Sequence, residues 1–182
     1  MLSGYAETVL ASFGGMNGAA PYFGGVVMDS AGNLFGISTV SSGSNQDFIF
    51  ETQKGSSTIT TLAGFNETVG QNPYGGLAID SEGNLYGTAD GGSFGDVFEL
   101  AKGSSVLTVL ASFSGIDGEY PESGVIIDSF GNLYGTTNRG YAVDSTVFEI
   151  AKNSSVIATL ATFTAADDVN GTGVSMDSSG NL

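Results

Sequence analysis

Apolar and polar residues alternate in short runs along this chain, and glycine and small polar residues separate the runs. One stretch reads Val97-Phe98-Glu99-Leu100, then a Lys-Gly-Ser-Ser turn, then the run from Val106 to Phe113, which is rich in Val, Leu and Thr. Short runs of this kind, bounded by turn residues, predict β-strands, and β-branched residues suit a pleated surface. Helical spacing of apolar residues is missing from the units. The pattern therefore predicts an all-β protein.

The strand pattern repeats. The string D-S-x-G-N-L recurs about every 49 residues, beginning at Asp29, Asp80, Asp128 and Asp177. Each unit predicts four strands, the first two joined by a Gly-Asn turn, which favours a hairpin because both residues tolerate positive φ. Four antiparallel strands in 40–50 residues are typical of a β-propeller blade. A β-sandwich is the alternative, but a sandwich would not need near-identical units.

The repeat divides the chain, which we treat as a single array over residues 1–182. We expect an all-β β-propeller of four-stranded antiparallel blades, with about three complete blades plus an orphan strand at each end. Single-chain propellers have at least about four blades. Either the chain is an excerpt of a longer array, or several chains combine into a ring or stack. The units are 1–23 (orphan outer strand and loop), 24–74, 75–122 and 123–171 (blades), and 172–182 (start of a further blade).

Composition excludes several classes of function. The 182 residues include no Cys, His or Trp, which excludes disulfides, thiolate or imidazole metal sites and Ser-His-Asp catalysis. Four Lys and Arg against 19 Asp and Glu give a net charge of −15, too acidic to bind nucleic acid. No apolar run approaches the ~18 residues that span a bilayer, so we expect no membrane insertion. Paired carboxylates remain possible. No pair is singled out, so we expect no enzyme, with a carboxylate-based glycosidase or lyase as the minor alternative.

Ligand-binding residues are expected in the loops that vary between units, those joining the second to the third strand and one unit to the next. Tyr rings there stack on sugar faces while carboxylates accept hydrogen bonds from hydroxyl groups. The alternative is that each Tyr beside a proline packs under its own loop. The candidates are Tyr22, Tyr74, Tyr120, Asp117, Glu119, Arg139 and Tyr141.

The D-S-x-G-N-L turns are expected to be structural, with the Asp accepting hydrogen bonds from its own turn. One Asp per turn is too few for calcium, which takes six or more oxygen ligands. We predict no cofactor; Asp167 and Asp168 are the weak candidates for a calcium site. The structural turn residues are Asp29, Gly32, Asn33, Asp80, Gly83, Asn84, Asp128, Gly131, Asn132, Asp177, Gly180 and Asn181.

Three stretches resemble a known family. They are Leu110 to Pro121 (LASFSGIDGEYP), Gly124 to Thr137 (GVIIDSFGNLYGTT) and Thr146 to Glu149 (TVFE). Together they resemble the GloVer tandem repeat, and the resemblance covers essentially the whole chain. It implies β-propeller-like repeats of secreted or surface-anchored bacterial proteins, and it supplies no catalytic residue.

These observations lead to an expected function. We expect a non-catalytic extracellular or cell-surface protein that acts as a structural, assembly or protein-interaction module. The alternative is a carbohydrate-binding module that uses the variable loops. The expected partners are further repeats or other copies of the same chain, and possibly glycans.

Overall fold

The computed structural model describes residues 8–14, 24–38, 47–138, 145–164 and 173–182. These residues form three four-stranded antiparallel sheets in which the strands follow chain order, and they contain no helix. The first sheet contains β1 (Val26–Met28), β2 (Leu34–Ser38), β3 (Phe48–Thr52) and β4 (Thr60–Gly64). The second contains β5 (Ala78–Ile79), β6 (Leu85–Ala89), β7 (Asp96–Leu100) and β8 (Thr108–Ser112). The third contains β9 (Ile126–Ile127), β10 (Leu133–Thr136), β11 (Thr146–Ile150) and β12 (Ala158–Thr162).

The three sheets share one strand register, which confirms the predicted all-β class and the four-stranded antiparallel unit. The aromatic residue of the second strand faces the Glu of the third in each sheet, as Tyr86 faces Glu99. Each sheet also has an irregularity between its third and fourth strands, at Val97/Phe98 in the second sheet. Bulges of this kind increase the local twist. Equal sequence spacing has therefore produced equal sheets.

The cores lie between successive sheets. Phe65, which follows the last strand of the first sheet, packs edge-on against Phe98 of the second, with ring centroids 5.0 Å apart. Phe113 and Phe148 repeat this contact between the second and third sheets at 5.1 Å. Each pair sits in an apolar cluster that draws on both sheets. Each sheet therefore needs its neighbours to bury its faces.

A glycine in each second strand makes room for the third-strand Phe. A Cβ added to Gly87 would lie 2.6 Å from Cζ of Phe98, which is fully buried. Gly36 and Gly135 stand in the same relation to Phe50 and Phe148. The Leu-Tyr-Gly-Thr string thus carries a packing requirement: only a residue without a side chain fits beneath the ring.

The sheets converge at their first strands. A Cβ on Gly75 would lie 2.3 Å from the backbone nitrogen of Gly124, and one on Gly24 would lie 2.3 Å from Cα of Gly76. Backbones of consecutive units therefore touch directly beside the first strands. The arrangement is propeller-like, with three sheets leading outward from one narrow region.

The segments outside the three sheets form no strand in the described residues. Residues 8–14 lie against the first sheet, where Phe13 packs edge-on against Phe50 at 5.1 Å. Residues 173–182 form the next D-S-x-G-N turn without a paired strand. A strand exists through its ladder partners, and neither segment pairs with one among the described residues, so the expected orphan strand at each end is not formed there. Closure of a ring, and the division into units, stay predictions.

Candidate functional site

The D-S-x-G-N-L turns lie at one end of the sheets, and each Asp is occupied by its own turn. Asp80 Oδ1 accepts hydrogen bonds from the backbone N–H groups of Glu82, Gly83 and Asn84 at 2.7 to 2.9 Å, and Oδ2 accepts one from Asn84 Nδ2 at 2.8 Å. Burial raises the pKa of Asp80, but these bonds outweigh it and hold the pKa below its usual value. In the other three turns the Asp accepts the equivalent hydrogen bonds from the backbone N–H groups two and four residues later and from the Asn side chain. These residues are Asp29, Asp128 and Asp177.

The Asn of each turn joins it to the second hairpin of the same sheet. Asn84 Oδ1 accepts a hydrogen bond from the backbone N–H of Lys102 at 2.9 Å, and the Lys102 side chain lies against Gly83. Gly83 has φ of +92°, which favours glycine. The first and third sheets repeat this bond through Asn33 and Asn132.

A tyrosine hydroxyl also bridges two carboxylates at this end. Tyr86 Oη donates toward Asp80 Oδ2 at 2.9 Å and lies 3.3 Å from Glu99 Oε1. A cleft of about 400 Å³ opens between the second and third sheets here and includes these residues in its wall. In this cleft Asp80 and Tyr86 are already hydrogen-bonded to each other, and Asp80 is hydrogen-bonded to its own turn. The turn end therefore holds the fold together.

The opposite end carries the loops, and the two inter-unit loops that the structure describes in full, after β4 and after β8, cross to the next sheet before they begin the next unit. The backbones of Gln71 and Asp90 pair through two hydrogen bonds of 2.9 and 3.2 Å. In the next unit the N–H of Asn138 donates to the carbonyl of Tyr120 at 2.9 Å. The crossing places the residue that follows each second strand beside the loop from the preceding unit.

Ionisable residues from different units meet at this loop end. Asp90 directly follows β6 and is half-buried; burial, and then the charge of Glu122, raise its pKa to about 6. Burial raises the pKa of Tyr74, and the charges of Asp90, Glu122 and Asp47 raise it further. We call Asp47, Tyr74, Asp90, Glu122 and Asn138 the loop-end cluster. Within the cluster, burial and the charge of Glu122 bring the pKa of Asp90 to about 6, and burial also raises the pKa of Asp47.

Asn138 fixes the second carboxylate of the cluster. The Asn138 Nδ2 donates a hydrogen bond to Glu122 Oε2 at 2.7 Å, and the backbone carbonyl of Asn138 accepts one from Ser145 Oγ at 2.8 Å. The Oδ1 atom of Asn138 is buried and has no hydrogen-bond partner among the described residues. Glu122 is exposed but is thus held beside the crossing loop. The cluster combines one exposed carboxylate, that of Glu122, with two half-buried carboxyl groups, those of Asp47 and Asp90.

The predicted ligand-binding residues separate in the structure. Tyr74 belongs to the cluster, whereas Tyr120 is 43% exposed on its loop with φ of +55°. Asp117 Oδ1 accepts hydrogen bonds from Ser114, and Glu119 is buried. Three of these candidates, Tyr22, Arg139 and Tyr141, fall outside the described residues, as do the two weak calcium candidates, Asp167 and Asp168.

The sequence analysis did not select four residues of the cluster, Asp47, Asp90, Glu122 and Asn138. Two of these positions differ between units: Glu122 occupies the position that Tyr74 holds one unit earlier, and Asn138 occupies the position of Asp90. This variation alone does not show that the residues lie close together.

Two further findings concern metals and membranes. In the part of the chain that the structure describes, no group of three or more Asp or Glu side chains is placed to hold a metal ion. A search of the same residues finds no helix with the length and apolar character needed to cross a membrane.

Comparisons with known proteins bear on family and fold. A family model described as the Gloeobacter/Verrucomicrobia repeat matches residues 2–182, which confirms the predicted resemblance. The comparison with curated proteins gives no match. A gluconolactonase from Xanthomonas campestris is similar in structure, with a TM-score of 0.51 and 15% identity over 78% of this chain and 50% of that one. A luciferin-regenerating enzyme gives a TM-score of 0.52 and 17% identity over 76% of this chain and 45% of that one. The chain thus spans about half the length of these solved structures.

These comparisons correct the expected function. We expected a non-catalytic structural, assembly or protein-interaction module, with carbohydrate binding as the alternative, and that expectation is wrong. Both of these solved proteins that share the fold are enzymes. At 15% and 17% identity the likeness establishes the shared fold, so the chemistry has to be argued from the residues of the loop-end cluster.

Proposed function

We propose that this chain, which belongs to the Gloeobacter/Verrucomicrobia repeat family, is the catalytic part of a propeller-like hydrolase that opens neutral lactones. The observation that carries the proposal is a half-buried Asp90, paired through its backbone with Gln71 of the crossing loop, whose pKa is raised by burial and then by the charge of the nearby Glu122. In this proposal the three sheets are blades of a β-propeller. The site lies at the loop end, near the first strands on which the blades converge.

Asp90 acts as the general base. A carboxyl that titrates near 6 accepts a proton more readily than an ordinary aspartate, yet it is ionised at neutral pH. The charge of Glu122 supports this basicity, and the hydrogen bond from Asn138 holds Glu122 in place. The two carboxylates therefore have different roles: Asp90 exchanges protons, and Glu122 tunes Asp90.

The reaction follows from these roles. Asp90 takes a proton from water while the water oxygen bonds to the lactone carbonyl carbon. Tyr74, whose raised pKa keeps its phenol protonated, donates a hydrogen bond to the carbonyl oxygen as negative charge develops there. The tetrahedral intermediate then breaks the ring C–O bond, and Asp90 returns its proton to the departing ring oxygen. The product is the open hydroxy acid, and one water is consumed.

Charge selects the substrate class. The chain carries −15 net charge, and the charges of Asp90, Glu122 and Asp47 all act on Tyr74. Three of the four cations lie elsewhere, since Lys102 contacts the turn at the opposite end and Lys54 and Lys152 occupy the equivalent positions; the fourth, Arg139, lies outside the described residues. A phosphorylated or carboxylated substrate would therefore be repelled. A neutral, hydroxyl-bearing lactone is not, and its hydroxyl groups can donate to the carboxylates.

The test is hydrolysis of glucono-1,5-lactone followed by alkali uptake at constant pH 6.5, with the spontaneous rate subtracted. We expect the chain to accelerate ring opening and Asp90→Asn to lower the accelerated rate by about 100-fold or more. Glu82→Gln is the matched control, because Glu82 is an exposed carboxylate at the turn end; it should keep the original rate. No acceleration by the unmodified chain, or full activity in Asp90→Asn, contradicts the proposal.

A further inference from the structure

The outer face of the third sheet carries residues that are buried in the other two sheets. Ala63 and Ala111 are 4% exposed in β4 and β8, whereas their equivalent in β12, Ala161, is exposed. Leu160 is 48% exposed, and every residue of β12 is exposed. The difference arises because the first and second sheets each have a following sheet on this face and the third has none.

The contacts that cover this face elsewhere are known from the same chain. Phe65 and Phe113, each just after a fourth strand, pack edge-on against a third-strand Phe of the following sheet. Phe163 is the next member of the series. Its N–H donates to the carbonyl of Ser145 at 2.8 Å, as that of Phe113 does to Gly95 at 2.9 Å. Phe163 is thus held in the same way, with its ring partly exposed.

Residues 173–182 already dock as the start of a following unit. The N–H of Gly173 donates to Thr136 Oγ1 at 3.1 Å, at the end of the second strand of the third sheet. One unit earlier Thr88 Oγ1 contacts the corresponding peptide group in the opposite sense, by donating to the carbonyl of Ser123 at 2.8 Å. A cleft of about 740 Å³ lies between the third sheet and the turn at Asp177. The first-strand side of the face is therefore covered, and the fourth-strand side is open.

We infer that the outer face of the third sheet, formed by Leu160, Ala161 and Phe163, is an interface for one more sheet of the same repeat. The occupant is a fourth unit whose third strand places a Phe edge-on against Phe163. The two existing interfaces of this chain supply its geometry and its apolar chemistry. This inference is independent of the proposed activity.

The test extends the full chain with a second copy of residues 134–182 after Leu182. The junction keeps the repeat, because Asn181-Leu182 matches Asn132-Leu133. Phe163→Ala is then compared in the original and the extended chain by thermal unfolding. In the extended chain the loss of a buried Phe should lower Tm by roughly 6–20 °C. In the original chain the ring is partly exposed, so the decrease should be about a third of that or less.

Two controls accompany this comparison. Phe113→Ala removes an interface that both chains contain and should lower Tm strongly in both. Val156→Ala, at a 67% exposed residue before β12, should change Tm little in either. Equal effects of Phe163→Ala in the two chains, or a lower Tm for the extended chain than for the original, would overturn the inference. Light scattering on the original chain is a further test. If the chain is a dimer and Phe163→Ala makes it a monomer, the inference is overturned, because a second copy of the chain would then cover the outer face of the third sheet.

Discussion

The glycine beneath each third-strand Phe offers a quantitative test of how the units are packed. Gly87 lies under Phe98, and the ring is fully buried against Phe65. We predict that Gly87→Ala destabilises the chain, and that the same substitution stabilises a chain in which Phe98 is already Ala. The sign of one substitution thus depends on a single neighbouring ring.

The magnitudes follow from the geometry. The new Cβ would lie 2.6 Å from Cζ of Phe98, so the ring must move by roughly 1 Å to restore van der Waals contact. Overpacking of this kind costs about 1–3 kcal/mol. Phe98→Ala alone costs about 3–5 kcal/mol. With the ring absent, Gly87→Ala gains about 0.5–1 kcal/mol, because Gly is unfavourable inside a strand. The coupling free energy is therefore at least about 1.5 kcal/mol.

The assay is urea unfolding of the four chains in the cycle, followed by circular dichroism. Tyrosine fluorescence provides a second probe, since the chain has seven Tyr and no Trp. Coincident transitions would justify a two-state free energy for each chain. A cost of Gly87→Ala that is the same with Phe98 and with Ala at position 98 would refute the packing argument.

Three further predictions concern other parts of the fold. Gly75→Ala should lower Tm sharply because its Cβ meets the Gly124 backbone at 2.3 Å, whereas Gly64→Ala, whose nearest neighbour is 3.9 Å away, should be tolerated; similar Tm values would show that the close approach is absent. Asn84→Ala removes the hydrogen bonds to Asp80 and from the Lys102 N–H, and urea unfolding should show a loss of about 2 kcal/mol. Asp90→Asn should stabilise the chain above pH 6 but not at pH 3.5. The folded Asp90 carboxyl, with a pKa of about 6, binds more protons than the unfolded one with its ordinary value of 3.8, so its contribution to stability falls as pH rises between these values. Parallel Tm–pH curves for the two chains would contradict the last prediction.

The repeat and its turns were predictable because their interactions are local. Asp80 and Asn84 are four residues apart, and their hydrogen bonds form within one turn of the chain. The register of the hairpin follows from that turn, which fixes Ile79 opposite Leu85 and Ala78 opposite Tyr86. A recurring string could therefore predict four strands per unit without any knowledge of how the units meet.

The loop-end cluster was not predictable in the same way. Asp90 and Glu122 are distant along the chain, and they come near each other where the loop before β9 crosses the loop after β6, as the hydrogen bond from the Tyr120 N–H to the Phe94 carbonyl shows. That crossing depends on backbone pairing such as that of Gln71 with Asp90, and no sequence motif announces it. The aromatic emphasis of the sequence analysis selected Tyr74 and missed the carboxylates beside it. The loop-end cluster is assembled from residues that are distant along the chain, and a local sequence pattern does not predict that they come together.

We propose that Asp90 is the base of a lactone hydrolase and that Glu122 tunes it. The most direct measurement is the pH dependence of kcat/KM for glucono-1,5-lactone in the unmodified chain and in Glu122→Gln. The rate should rise with pH through an inflection near 6, because only the ionised Asp90 accepts a proton. In Glu122→Gln the inflection should move to lower pH, because burial still raises the Asp90 pKa but the charge of Glu122 no longer does. An inflection that stays in place, or a rate that falls as Asp90 ionises, would refute these roles.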